Sequence, residues 1–241
     1  MKRFLISFIA FFTSIYSFAQ CDSAVLSGKI TDFGNKPIEN VYIQIRSDSK
    51  TIAYEGFSDK MGNYKFMVKK GKYYSLAAVN KNEYPMWSKL PPADQRLEFW
   101  AWNPIIDKDI TIDIKYHRME IYAINAFSVQ MAYPGYTVYC RPMSLTKWQA
   151  NPSASDLCPD PEHLGVEVEI NGEKVAINMK QKIKEFAGED KFMYAYILHV
   201  SLPKNKNNEN FDVFKLTLTD LNNGDKGEAF YYKEKENLKR Q

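Results

Sequence analysis

Residues 26–76 read LSGKITDFGNKPIENVYIQIRSDSKTIAYEGFSDKMGNYKFMVKKGKYYSL, a series of short apolar alternations cut by turn residues. Val41, Ile43 and Ile45 alternate with Tyr42, Gln44 and Arg46, the period of a half-buried strand. Tyr64, Phe66 and Val68 repeat the pattern, and Ile110, Ile112 and Ile114 repeat it further along. Between these runs lie residues 32–37, 59–63 and 69–72, rich in Asp, Asn, Gly and Lys. Asp and Asn side chains bond to nearby backbone and glycine accepts positive φ, so these segments are tight connections. No helical period persists between Val25 and Tyr116. A small all-β sandwich is the economical fold for that span.

A second β-rich pattern begins near Met119. Residues 119–124, 127–131 and 137–142 read as strands, the last two separated by the turn Tyr133-Pro134-Gly135-Tyr136. Residues 149–163 are loop by composition. Val166, Val168 and Ile170 then run into Asn171-Gly172, a favoured hairpin turn. Phe192, Tyr194, Tyr196, Leu198 and Val200 line one face of a long strand, and Phe214, Leu216 and Leu218 alternate in another. Met179, Ile183, Phe186 and Ala187 have helical spacing closed by Gly188, so a short helix or an irregular crossover is expected there. The expected whole is all-β, with a sandwich over residues 22–116, a second over 117–236 and a polar tail at 237–241.

The first module resembles a known family. Gly28, Ile30 and Asp32 match the opening of the carboxypeptidase regulatory-like domain, a transthyretin-like β-sandwich. Pro37, Val41 and Ile43 match its next strand, and Asp59, Gly62, Tyr64, Phe66 and Gly71 match its later elements. The family's shared positions are structural, so the resemblance implies a fold and no catalytic residue. The second half, with its Val-x-Val-x-Ile-Asn-Gly hairpin, resembles in a generic way the bacterial immunoglobulin-like sandwiches of secreted proteins.

The N-terminus carries a targeting argument. Lys2 and Arg3 precede an apolar run from Phe4 to Phe18, with Ser17 and Ala19 placed for cleavage before Gln20. That order is a secretory signal peptide, residues 1–20. Cys21 follows directly, so a lipoprotein anchored through Cys21 stands beside ordinary cleavage. The chain has three cysteines. In an oxidising compartment Cys140 and Cys158 are expected to pair as a disulfide, leaving Cys21 over. The ending Phe-Ala-Gln and the regulatory-like module together suggest an exported protein of a Gram-negative envelope: periplasm, outer membrane or extracellular.

Composition narrows the chemistry. Net charge is +3, and removing Lys2 and Arg3 takes it to about +1, so no nucleic-acid partner is expected. The three histidines, His117, His163 and His199, have no metal-ligand spacing, and neither a metal nor a cofactor is expected. Asp156, Asp160, Glu162 and His163 cluster in the loop and read as a solvated acidic segment. No serine has the glycine spacing of a nucleophile elbow. Glu98, beside Trp100, is the single acid that stands out.

Candidate binding residues are the four tryptophans, Trp87, Trp100, Trp102 and Trp148, with Glu98, Asn103 and Arg141 as polar partners. In Phe99-Trp100-Ala101-Trp102 the two tryptophans share one strand face and Phe99 and Ala101 the other. One face is therefore core, while the other is covered by the second module or forms a stacking platform. The sequence points to a non-catalytic exported binding or assembly protein. Its expected partner is an envelope protein or a glycan, and its only expected membrane link is a lipid on Cys21. A glycan-binding accessory module and a purely structural spacer are the alternatives.

Overall fold

The computed structural model describes residues 22–205 and 207–235. The signal peptide, Cys21 and the tail at 237–241 lie outside them. In the first half the strands are β1 (Ser23–Thr31), β2 (Tyr42–Arg46), β3 (Ile52–Phe57), β4 (Asn63–Lys69), β5 (Gly71–Lys72) and β6 (Ser75–Val79). They continue as β7 (Phe99–Trp102), β8 (Ile105–Ile106), β9 (Ile110–Thr111) and β10 (Ile114–Lys115). The second half holds β11 (Met119–Phe127), β12 (Tyr136–Ser144), helix α1 (Leu145–Ala150), β13 (Leu164–Ile170) and β14 (Glu173–Lys174). It closes with β15 (Ile177–Gly188), β16 (Lys191–Val200), β17 (Phe211–Asp220) and β18 (Lys226–Glu234).

The connections form by local side-chain chemistry. Asp32 Oδ1 accepts the backbone N–H groups of Gly34 and Lys36 at 2.8 and 2.9 Å. Asp59 Oδ1 accepts those of Met61 and Asn63 at 2.9 and 2.8 Å. Gly62 sits at φ 76°, and a Cβ there would lie 2.3 Å from the Ile30 carbonyl oxygen, so only glycine fits this turn. Asn171 and Gly172 both take positive φ, 53° and 79°, as a tight hairpin requires.

One eight-stranded sheet runs through both halves in the order β14-β13-β17-β18-β7-β6-β2-β3. The join is a parallel pairing of β18 with β7, Ala229 opposite Trp100 and Tyr231 opposite Trp102. A four-stranded sheet of β1, β4, β9 and β10 packs on the β2-β6-β7 end. A second, in the order β11-β12-β16-β15, packs on the β13-β17-β18 end. The protein is thus all-β, with two sandwich-like regions that share a wall.

The two cores lie on opposite faces of that wall. Phe99, Ala101, Phe230 and Tyr232 point into the first core with Leu26, Ile43, Ile45 and Tyr116. Trp102, Ala229, Tyr231 and Phe214 point into the second with Ile121, Val138, Leu198 and Leu218. Period-two alternation makes this arrangement available to any strand that is covered on both sides. Phe211 and Tyr232, late in the chain, are part of the first core.

Two expectations are corrected. Residues 177–188 form no helix; they are the long edge strand β15, paired with β16 from Ile177 to Gly188. Cys140 and Cys158 form no disulfide; both are free, buried thiols. Cys158 Sγ lies 3.1 Å from the carbonyl oxygens of Pro142 and Tyr194, which satisfies the S–H without the other sulfur. Burial pushes the Cys158 thiol up to about 12 and the Cys140 thiol further still, as expected of sulfur kept from water.

Candidate functional site

The open part of the wall lies beside Trp100. Tyr42, Gln44 and Arg46 project from β2 on the face away from the first core, because Ile43 and Ile45 between them are fully buried. The neighbouring strands bring Val79 opposite Tyr42 and Ala77 opposite Gln44, and then Trp100 opposite Ala77. Ala77 is small, so the sheet dips between Gln44 and Trp100. Lys81, Trp87 and Glu98 complete the rim of a depression of about 300 Å³.

The loop that follows β6 is held in place. Tyr84 N–H donates to the Asn80 carbonyl at 3.0 Å, and Trp87 N–H donates to that of Tyr84 at 3.0 Å. The Tyr84 and Trp87 rings pack 5.1 Å apart. Trp87 remains 59% exposed and stands as the outer aromatic wall.

Trp100 has a different setting. It is 7% exposed and stacks on Trp102 with centroids 4.8 Å apart and planes 9° from parallel. Tyr122 of β11 covers both rings, at 5.6 and 6.3 Å. A β-bulge between Tyr122 and Asn125, with Ala123 at φ 50°, interrupts β11 just after this contact. Trp100 therefore lines the depression without offering a free face for stacking.

Beneath it lies a pair of acids. Trp100 Nε1 donates to Glu120 Oε1 at 2.8 Å. Glu120 Oε2 is buried and receives no N–H or O–H donor from its surroundings. Burial drives the Glu120 carboxyl well above the usual carboxylate range, and the adjoining Glu98 carboxyl drives it the same way. Glu98 is itself raised, mainly by burial. Two carboxyls in contact are stable there when they share one proton.

Among the described residues no acid lies within ion-pair distance of either cation of the depression. Arg46 donates from Nε and Nη2 to Gln44 Oε1 at 3.1 and 2.7 Å, and its Cζ stands 5.9 Å from the Trp100 ring centre. Lys81 Nζ stands 4.2 Å from the centre of the Tyr42 ring. Among the described residues neither forms an ion pair.

The other candidates lie elsewhere. Arg141 Nη2 donates to Glu185 at 2.8 Å and to Tyr139 OH at 3.0 Å, on the β12-β16-β15 sheet. Trp148 is half-buried on α1, and Asn103, at φ 53°, makes the turn after β7. The structure thus gathers Trp87, Trp100 and Glu98, sets Trp102 behind Trp100, and leaves Trp148, Arg141 and Asn103 apart. Sequence reasoning missed Arg46, Lys81, Gln44 and Tyr42, which read as the wet face of an ordinary strand.

The acidic loop is stapled by lysine. Lys182 Nζ bonds Asp156 at 2.7 Å and Asp160 at 3.1 Å. Asp160, Glu162 and His163 place ligand-type atoms within 4.8 Å of one another, but all three side chains are open to solvent to some degree. Among the described residues no helix is long and apolar enough to cross a membrane.

No family model matches the chain, and no curated protein matches it. Solved structures do. The major pilin subunit BcpA of Bacillus cereus is 12% identical, with 88% of this chain and 68% of that one covered and a TM-score of 0.28. The full-length major pilin SpaD of Corynebacterium diphtheriae is 9% identical, with 87% and 64% covered and a TM-score of 0.26. A protein described as an adhesin from Bacteroides ovatus is 10% identical, with 87% and 82% covered and a TM-score of 0.29. The likeness is one of generic β-sandwich fold, at a level that carries no argument about activity. Two of these three chains are major pilins, of Bacillus cereus and Corynebacterium diphtheriae, and the Gram-negative placement expected from the sequence finds no support in them.

Proposed function

We propose that the chain is a non-catalytic exported structural and binding protein. It is built of a carboxypeptidase regulatory-like sandwich over residues 22–116 and an immunoglobulin-like sandwich over 117–236. The observation that carries this reading is the β18–β7 pairing, which makes one sheet the wall of both cores. Such a join holds two modules in fixed relation, which suits a part that spans or presents rather than one that closes on a substrate. The signal-peptide pattern at residues 1–20 supports export, and a partner at the cell surface is the companion it implies. A glycan-binding role is the second reading, favoured by the exposed Trp87 beside the Trp100 depression.

The test uses the mature chain with ester, peptide and glycoside substrates, together with cross-linking on intact producing cells. The expected result is no turnover and a discrete cross-linked adduct with a second surface protein. Turnover that disappears in Glu98→Gln would overturn the reading and make the chain an enzyme.

A further inference from the structure

We propose that the depression bounded by Tyr42, Arg46, Lys81 and Trp87 binds an acidic sugar, a pyranose ring carrying a carboxylate. This goes beyond the structural reading and rests on the second one, a glycan at this depression, which it narrows to an acidic sugar.

Charge is the first argument. A half-buried guanidinium is ordinarily matched by a carboxylate or phosphate. Among the described residues Arg46 bonds only to a neutral amide, that of Gln44, which occupies the Nε–Nη2 edge of its fork. Among the described residues Nη1 has no hydrogen-bond partner and is left for a second acceptor. Lys81 adds a second positive charge at the same rim. Glu98 and Glu120 sharing one proton keep one negative charge at this rim, and Glu55 accepts from the Tyr42 hydroxyl. The place for an anion therefore lies at the Arg46 and Lys81 end, where neither cation has an ion-pair partner among the described residues.

Shape and lining supply the ring. Ala77 and Val79 form an apolar floor and Trp87 stands as the open aromatic wall, while the Tyr42 ring is overlain by Lys81 and packed by Phe57. Aromatic faces take the C–H surface of a sugar, while Gln44 and Glu98 at the edge offer an amide and a carboxyl for its hydroxyls. The volume, about 300 Å³, stands at the small end of ligand sites and suits a terminal or single residue of a longer glycan. The site exists because the sheet of β11 covers Trp100 and Trp102 and stops there, leaving β2 and β6 bare.

Calorimetric titration of the mature chain decides the matter, with trigalacturonate, its methyl ester, neutral galactotriose and a peptide ending in a phenylalanine carboxylate as probes. Trigalacturonate should bind, and the ester and the neutral sugar should bind at least about tenfold more weakly. Arg46→Gln and Lys81→Gln should each weaken trigalacturonate by a similar factor, while Arg141→Gln, on the other sheet, should not. Lys81 is exposed, so its variant keeps the fold if Arg46→Gln does not; circular dichroism checks both. Equal binding of acid and ester, unchanged affinity in Lys81→Gln, or no binding at millimolar sugar overturns the proposal. Binding of the peptide without the sugar overturns it in favour of a protein terminus.

Discussion

At the residue scale, two buried acids have opposite effects. Asp225 is 1% exposed and uses both oxygens: Arg118 Nε donates at 3.0 Å, Ser144 OH at 2.7 Å, and the Thr146 amide and hydroxyl at 2.8 and 3.0 Å. It pins the β17–β18 turn to the start of α1 and, through Arg118, to the carbonyls of Pro92 and Gln95. Asp225→Ala should leave a buried guanidinium without its acid and cost about 3–5 kcal/mol, read as a lower urea midpoint. Glu228 is the reverse case. Lys215 lies 3.5 Å away, yet burial outweighs it and raises the carboxyl to about 7. A raised acid stabilises the fold fully below its unfolded pKa, about 4.5, and that contribution is lost as pH rises through 7. The loss is on the order of 3 kcal/mol, so the melting temperature should fall between pH 5 and 8, and Glu228→Gln should flatten the slope. A slope unchanged in the variant would assign it to other groups.

At the element scale, what was legible followed from local chemistry. The strands around Val41–Ile45 and Tyr64–Val68 and the turns at Asp32 and Asp59 formed as their alternation and side-chain bonds dictate. β15 misled because it is an edge strand with both faces partly wet. Its apolar residues Met179, Ile183 and Phe186 are then free of strict alternation and happen to fall at helical intervals, while the pairing with β16 decides the structure. Arg46 was illegible as a binding residue because a polar side chain alternating with isoleucine looks the same over solvent as over a depression. The parity of cysteines misled in a similar way, since it says nothing of the carbonyls that satisfy Cys158. One contact between elements had no sequence signal at all. A Cβ at Gly227 would sit 2.0 Å from the Met119 carbonyl oxygen, where β18 and β11 press backbone to backbone. Gly227→Ala should force these strands apart and cost about 1–3 kcal/mol, measured as a shift of the urea midpoint. An unshifted midpoint would mean that the crossing has slack.

At the scale of the molecule, the parallel pairing of β7 with β18 joins residues distant in the chain, and no local pattern announces it. Its consequence is that residues 22–116 do not own their core. Phe211 and Tyr232 are 8% and 3% exposed within the first cluster, and Val213 and Phe230 pack against it. Each large side chain so buried stabilises by about 1.5–3 kcal/mol, which across two or more of them is comparable with the whole stability of a small domain. Removing β18 also strips β7 of its neighbour and makes it an unpaired edge carrying Trp100 and Trp102. A fragment of residues 22–116 should therefore be expanded, bind a hydrophobic dye and show no cooperative thermal transition. Added in trans, residues 117–236 should restore the transition if the shared sheet is what completes the core. The intact mature chain should melt as one unit, with calorimetric and van't Hoff enthalpies equal. A fragment with dispersed amide resonances and its own sharp melt would show that the first sandwich is complete without β17 and β18, and would reduce the shared wall to a contact between independent modules.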